Sequence, residues 1–154
     1  MVGIGRWLLL VSYALYWGGL TFYTGFVVRI IHDVVNDPMD GGMITQRVTV
    51  LLQFFGVVTT VLMLANAFQV GRSNKRHGCM LGLCAAALGV SIVGLLIVHS
   101  NLDAVIDIKA AQVTDRDVFT LNHRRYNQLT TVQWIASLIY LPITIVAWQR
   151  EANG

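Results

Sequence analysis

Charged residues in this chain are clustered, and between the clusters lie four long apolar stretches, uncharged at their midpoints, at residues 7–31, 44–70, 78–98 and 129–148. A helix needs about 20 mostly apolar residues to cross a hydrocarbon core of about 30 Å. Each stretch meets that length. Charged residues make up 12% of the 154-residue chain, about half the roughly 25% usual in soluble domains. A charge deficit alone fits either a very buried core or helices that face lipid, and the clustering argues for lipid. The expectation is an all-α bundle of four transmembrane helices, a single membrane domain over residues 1–154.

The boundaries follow from local chemistry. Arg6 precedes the first span, as a positive residue precedes a secretory signal. A signal's apolar region is only about 7–15 residues and ends at a small-residue cleavage site; here the apolar run continues to Val28, so a retained helix is expected. Turn formers from Asn36 to Gly42 separate the first two spans. The polar hinge from Gly71 to His77 separates the second and third, and residues 149–154 form a short tail.

The connection from His99 to Gln128 is not plain loop. Leu102, Val105, Ile106 and Ala110 recur near helical spacing, which extends the third helix beyond the bilayer. Thr114 followed by Asp117 reads as an N-cap ahead of Val118, Phe119 and Leu121. The spacing predicts a helical hairpin of the third and fourth helices with its tip near Val113 and Thr114, projecting from the outer face. About 14 residues beyond Val98 would reach roughly 20 Å.

Orientation rests on the basic residues. Arg6, Arg72, Lys75, Arg76 and Arg150 lie on one side; Arg29, Arg47, Lys109, Arg116, Arg124 and Arg125 lie on the other, with seven aspartates. Acidic residues contribute little to topology, and basic density near span ends favours the first side as cytoplasmic. Both termini are therefore expected on the cytoplasmic side of the membrane. The formal net charge of +3 comes without a basic run or interleaved aromatics, so nucleic acid is not an expected partner.

An ionisable residue deep in a span usually marks function. Arg29 is the deepest here, close enough to its helix end to snorkel. The carboxylate or lysine relay of a proton-coupled transporter is missing, which demotes a small-solute transporter to a second alternative. Uncharged polar residues do occupy the spans, among them Tyr13, Tyr16, Gln53, Thr59, Asn66, Ser91, Gln133, Ser137 and Tyr140. Interhelical hydrogen bonding is their expected use, with a small polar cavity as the alternative. Ala14 with Gly18, Thr21 with Gly25, and Ala85 with Gly89 are small pairs at i, i+4 that mark packing faces, within the monomer or in a homo-oligomer. Trp17, mid-depth, is expected to pack against another helix. Cys79 and Cys84 read as small packing residues, and His77 as a solvated hinge residue.

The remaining histidines carry the sharper possibilities. His32, His99 and His123 belong to the outer side with Asp33, Asp103 and Asp107. His99, Asp103 and Asp107 share a helix face at i, i+4, i+8. Histidine and carboxylate at one depth suit a transition metal such as copper, and two histidines suit haem b held axially within four helices. The structural account is a network of ion pairs. Folding the hairpin at its expected tip sets Asp103 against Arg124, with Arg125 and His123 alongside, while Asp33 comes opposite Arg47. That account needs no cofactor, and it leads. No G-x-S-x-G, Walker A, H-E-x-x-H or C-x-x-C pattern is present, so nothing argues for an enzyme.

Two tracts carry a family likeness: Trp17-Gly-Gly-Leu-Thr-Phe-Tyr-Thr-Gly25, and Phe119-Thr-Leu-Asn-His-Arg-Arg-Tyr-Asn-Gln-Leu-Thr-Thr-Val-Gln-Trp134. Both resemble small bacterial four-helix membrane proteins that are distantly similar to the transmembrane protein 205 group. The resemblance implies a four-span bundle and no particular activity. The first span is also similar to the copper-resistance D membrane domain, a likeness that does not place that family's metal-binding histidines on this chain. The leading expectation is an accessory or interaction protein whose one certain partner is the bilayer. A haem- or copper-binding protein is the rival.

Overall fold

The computed structural model describes residues 2–107 and 112–153. The chain builds four helical rods. The first runs through α1 (Val2–Phe22), a π-helical turn (Tyr23–Val27) and α2 (Val28–Val34) without leaving helical backbone. Val35 is extended and stops it. Pro38 then opens α3 (Pro38–Ser73), at the position where a missing N–H matters least. Asn74 alone joins α3 to α4 (Lys75–Asp103); its extended backbone and its side chain, accepting from the His77 N–H at 3.2 Å, cap the new helix. The last rod is α5 (Arg116–Asn153), which continues through Pro142.

Four helices are long and apolar enough to cross a membrane: Gly3–Val34, Asp40–Ser73, Lys75–Asp103 and Arg116–Asn153. The shortest has 29 residues, roughly 43 Å at 1.5 Å per residue. That exceeds a hydrocarbon core of about 30 Å.

The α4–α5 connection differs from the expected helical tip. Helix α4 stops at Asp103, and β1 (Ile106–Asp107) pairs antiparallel with β2 (Gln112–Val113), Ile106 opposite Val113 and Asp107 opposite Gln112. Val105, Ile106, Val113 and Thr114 are β-branched, a class that favours extended backbone. The ladder puts Val113 in a strand, with Thr114 just after it, rather than at the tip of a helical hairpin. The expected helical position at Ala110 lies outside the described residues. Thr114 is not the cap of α5, because its N–H and hydroxyl both donate to the Val105 carbonyl, at 2.9 and 3.0 Å. Asp115 caps instead, its carboxylate accepting from the N–H groups of Asp117 and Val118 at 3.1 and 3.0 Å.

Successive rods run antiparallel, and side-chain bonds between α1 and α5 close the bundle. The closest backbone approach is where α3 meets α4. A Cβ on Gly78 would lie 2.3 Å from Gly71 Cα, so no other residue fits there unchanged. Near the middle of α3, Gly56 makes room for the ring of Tyr16 and for Ile92. The core runs from Leu9 and Tyr16 through Met63, Leu81, Leu88 and Ile92 to Tyr140 and Ala147. The outer surface is also apolar, with Leu8, Phe22, Phe54, Phe68, Leu83, Val90 and Ile97 all exposed. Of the small pairs, Ala85 is buried and Gly89 faces Thr60, so that pair serves α3 against α4. Ala14, Gly18 and Gly25 are exposed, and a Cβ on either glycine would meet nothing within 4 Å.

Candidate functional site

Helix α5 turns its polar residues inward. Gln133, Ser137, Tyr140 and Thr144, spaced by three and four, fall on one face and are at most 2% exposed, whereas Leu138, Ile139 and Ile145 are each more than 40% exposed. Asn122 extends the same face. Tyr13 and Tyr16 of α1, Tyr23 of the π turn, Thr49, Gln53, Thr59, Thr60 and Asn66 of α3, and Ser91 of α4 bury further polar groups against it. The result is a polar column along the bundle in which none of these side chains is Asp, Glu, Lys, Arg or His.

Much of the column is tied across helices. Trp148 Nε1 donates to Asn66 Oδ1 at 2.9 Å, Asn66 Nδ2 donates to the Tyr140 hydroxyl at 2.8 Å, and that hydroxyl donates to the Met63 carbonyl at 3.0 Å. Between α1 and α5, Tyr13 donates to the Ser137 carbonyl at 2.8 Å and Tyr16 to Gln133 Oε1 at 3.0 Å. The hydroxyls of Ser12 and Thr59 bond at 2.8 Å between α1 and α3. Thr24, Thr60 and Ser91 instead bond the carbonyl four residues back in their own helix, the usual local outlet for such hydroxyls. Trp17 packs as expected. Its indole stacks between Tyr13 and Trp134 of α5, centroids 6.1 and 6.0 Å away, and Trp134 Nε1 donates to Thr21.

Some buried polar atoms of the column have no hydrogen-bond partner among the described residues: Gln53 Nε2, Gln133 Nε2, Asn122 Oδ1, Ser137 Oγ and Thr144 Oγ1. An unpaired buried group costs about 1–3 kcal/mol, so each is a place where a small hydrogen-bonding molecule would be stabilised. What the column can do chemically is hold helices in register and bind neutral donors and acceptors.

At the end carrying both termini a second cluster forms. Arg6 pairs with Glu151 and lies over the Trp148 ring, 4.9 Å from its centroid, while Ser73 donates to Glu151 at 2.9 Å. Residues of α3, α4 and α5, among them Ser73, Asn74, His77 and Arg150, line a cavity of about 200 Å³ here. His77 is not the solvated hinge residue expected. It is half-buried and lines this cavity, with Nδ1 shielded and without a hydrogen-bond partner among the described residues.

The outer-side residues are not gathered as the sequence reading drew them. His32 is exposed on α2, 3.8 Å from where a Gly41 Cβ would lie, and His123 is exposed and stacked on Phe119 at 5.9 Å. His99 is half-buried on α4. Asp103 accepts from Gln46 of α3 rather than pairing with Arg124. Between described residues the one ion pair is Arg6 with Glu151, so neither Asp103–Arg124 nor Asp33–Arg47 forms one. The cause is register: Gly94 of α4 packs against Leu129 of α5, which slides Arg124 toward the bundle relative to the expected fold point. Asp33, Arg47, Arg124 and Arg125 are all exposed, and Asp107 sits in β1 opposite Gln112. Among the described residues no group of three or more His, Cys, Asp or Glu side chains comes together as a metal site. Cys79 is exposed, and Cys84 packs on the core as a small residue.

Fold and site together define an all-α four-helix bundle with helices long enough for a bilayer and an uncharged polar interior. No protein-family model, curated protein or solved structure matches the chain. The Asn66–Trp148 link, the Glu151 clamp and the shielded His77 were missed by sequence reasoning. Each joins residues far apart in the chain, and the one available signal was a lone Glu beside a terminal Trp.

Proposed function

We propose that this chain is a small multi-pass protein of the bacterial inner membrane that acts as an accessory or interaction protein, without catalysis, by associating with a second copy of itself. The observation that carries this reading is the outward face of the first rod. Ala14 and Gly18 share a helix face and Gly25 stands exposed further along, with open space where either glycine's Cβ would be. A glycine inside a helix costs about 1 kcal/mol relative to alanine, and nothing within the monomer requires these two. In lipid, small residues let helix backbones approach closely, and such a stripe is self-complementary across a two-fold axis. The basic residues around Arg6, Arg72, Lys75, Arg76 and Arg150 support cytoplasmic termini. The start of α5 at Arg116, thirteen residues before Leu129, supports a projection of roughly 20 Å on the outer side.

The test uses the full chain in detergent. Carbonate-resistant membrane association and a dimer in sedimentation are expected, with Gly18→Leu shifting the dimer to monomer while helicity stays unchanged. A wild-type protein that remains monomeric at every protein-to-detergent ratio removes the association. A Soret band, or stoichiometric copper lost in His99→Ala, would replace the reading with a haem or copper protein.

A further inference from the structure

On the outward surface between α4 and α5 runs a groove of about 380 Å³ lined by Gly94, Ile97, Val98, Leu129 and Val132, with Arg125 and Gln128 at one end. Gly94 forms part of its wall, and a Cβ there would come 3.0 Å from Leu129 Cδ1, close enough to push that side chain aside. Apart from its end, the lining is hydrocarbon. That end carries a charge: Arg125 is exposed and has no hydrogen-bond or ion partner among the described residues.

We propose that this groove binds one acyl chain of an anionic glycerophospholipid, with Arg125 on the lipid phosphate and Gln128 beside it. The inference rests on the membrane reading above. Arg125 is the last charge before the uncharged length of α5, which continues to Gln149. It therefore stands at headgroup depth when Leu129 and Val132, one and two turns further along, stand at acyl depth. An apolar channel selects a chain. A guanidinium, whose donors fork to match a phosphate, selects the charge above it. A peptide helix about 10 Å across would match the apolar lining but leave Arg125 without an anion.

The experiment is native mass spectrometry of the full-length protein released from micelles after mixing with equal amounts of phosphatidylglycerol and phosphatidylcholine of identical acyl chains. Wild type retains phosphatidylglycerol preferentially. Arg125→Gln lowers that preference about fivefold, the worth of one basic residue near an anionic surface. Ile97→Ser, an exposed change in the groove wall, lowers retention of both lipids. Arg124→Gln, on the neighbouring side of the helix, leaves the preference intact. Equal retention of the two lipids by wild type, or an equal loss from Arg124→Gln, overturns the site. Those outcomes leave the membrane reading standing, whereas a protein that stays soluble without detergent removes both.

Discussion

Replacing Gly78 with alanine tests the tightest contact in the bundle. The new Cβ would lie 2.3 Å from Gly71 Cα, 2.7 Å from Gly71 N and 2.9 Å from the Ala67 carbonyl oxygen. Carbons in contact sit roughly 3.5 Å apart, so the first distance is short by more than about 1 Å. All three obstacles are backbone, and no side chain can swing aside. The helices must part, yet Asn74 alone joins them. Overpacking costs about 1–3 kcal/mol, and replacing a helical glycine returns up to about 1 kcal/mol. With backbone as the obstacle the upper part of the range applies, leaving a net loss of about 2 kcal/mol. At 2–4 °C per kcal/mol for a chain of this size, melting should fall by roughly 4–8 °C. Two controls sharpen the result. Gly71→Ala meets Gly78 Cα at 3.7 Å, and Gly82→Ala meets nothing within 4 Å; both should melt within about 1 °C of wild type or above it. The assay is thermal unfolding in detergent, followed by circular dichroism. Gly78→Ala melting no lower than Gly71→Ala would refute the packing argument.

Other perturbations probe the polar contacts. Asn66→Leu keeps volume but strands Trp148 Nε1 and removes the bond to Tyr140, so stability should fall by about 1–3 kcal/mol with a shift in tryptophan emission; an unchanged melt would mean that the column does not hold the helices. Glu151→Gln removes an ion pair whose side chains are 29% and 24% exposed, and the loss should be about 0–1 kcal/mol. That loss should vanish near 1 M salt, where the screening length is about 3 Å, and a larger salt-independent loss in the same melt would contradict it.

The rods were legible because apolar length is a local signal. Hydropathy alone marks only 129–148, and it is the cap signal near Thr114 that places the start of the last helix close to the observed Arg116. The cap itself was misassigned by one residue for a reason outside the local pattern: Thr114 is held by Val105 across a short ladder, which frees Asp115 for the role. The same ladder displaced the fold point of the hairpin and with it the expected meeting of Asp103 and Arg124. Asn66 and Tyr140 were recognisable as buried polar residues, but their pairing spans two helices, and no periodicity encodes which helix neighbours which. Trp17 was read correctly as packing because depth alone was enough to place it.

The direction in which α5 faces ties these findings together. Gln133 and Ser137 are 2% and 0% exposed while Leu138 and Ile139 are 44% and 46% exposed. In water, burying apolar surface is worth about 25 cal/mol per Å², and rotating this helix to hide its leucine and isoleucine would be favoured. On the proposed membrane reading that incentive is absent, since hydrocarbon outside the helix is no worse than hydrocarbon inside, and polar side chains turn inward to find partners. Association between helices must then come from close backbone contact and hydrogen bonds. That is why Gly78 and Asn66 should matter more to this bundle than any exposed leucine, and why exposed glycines with nothing beside them read as contacts awaiting a partner.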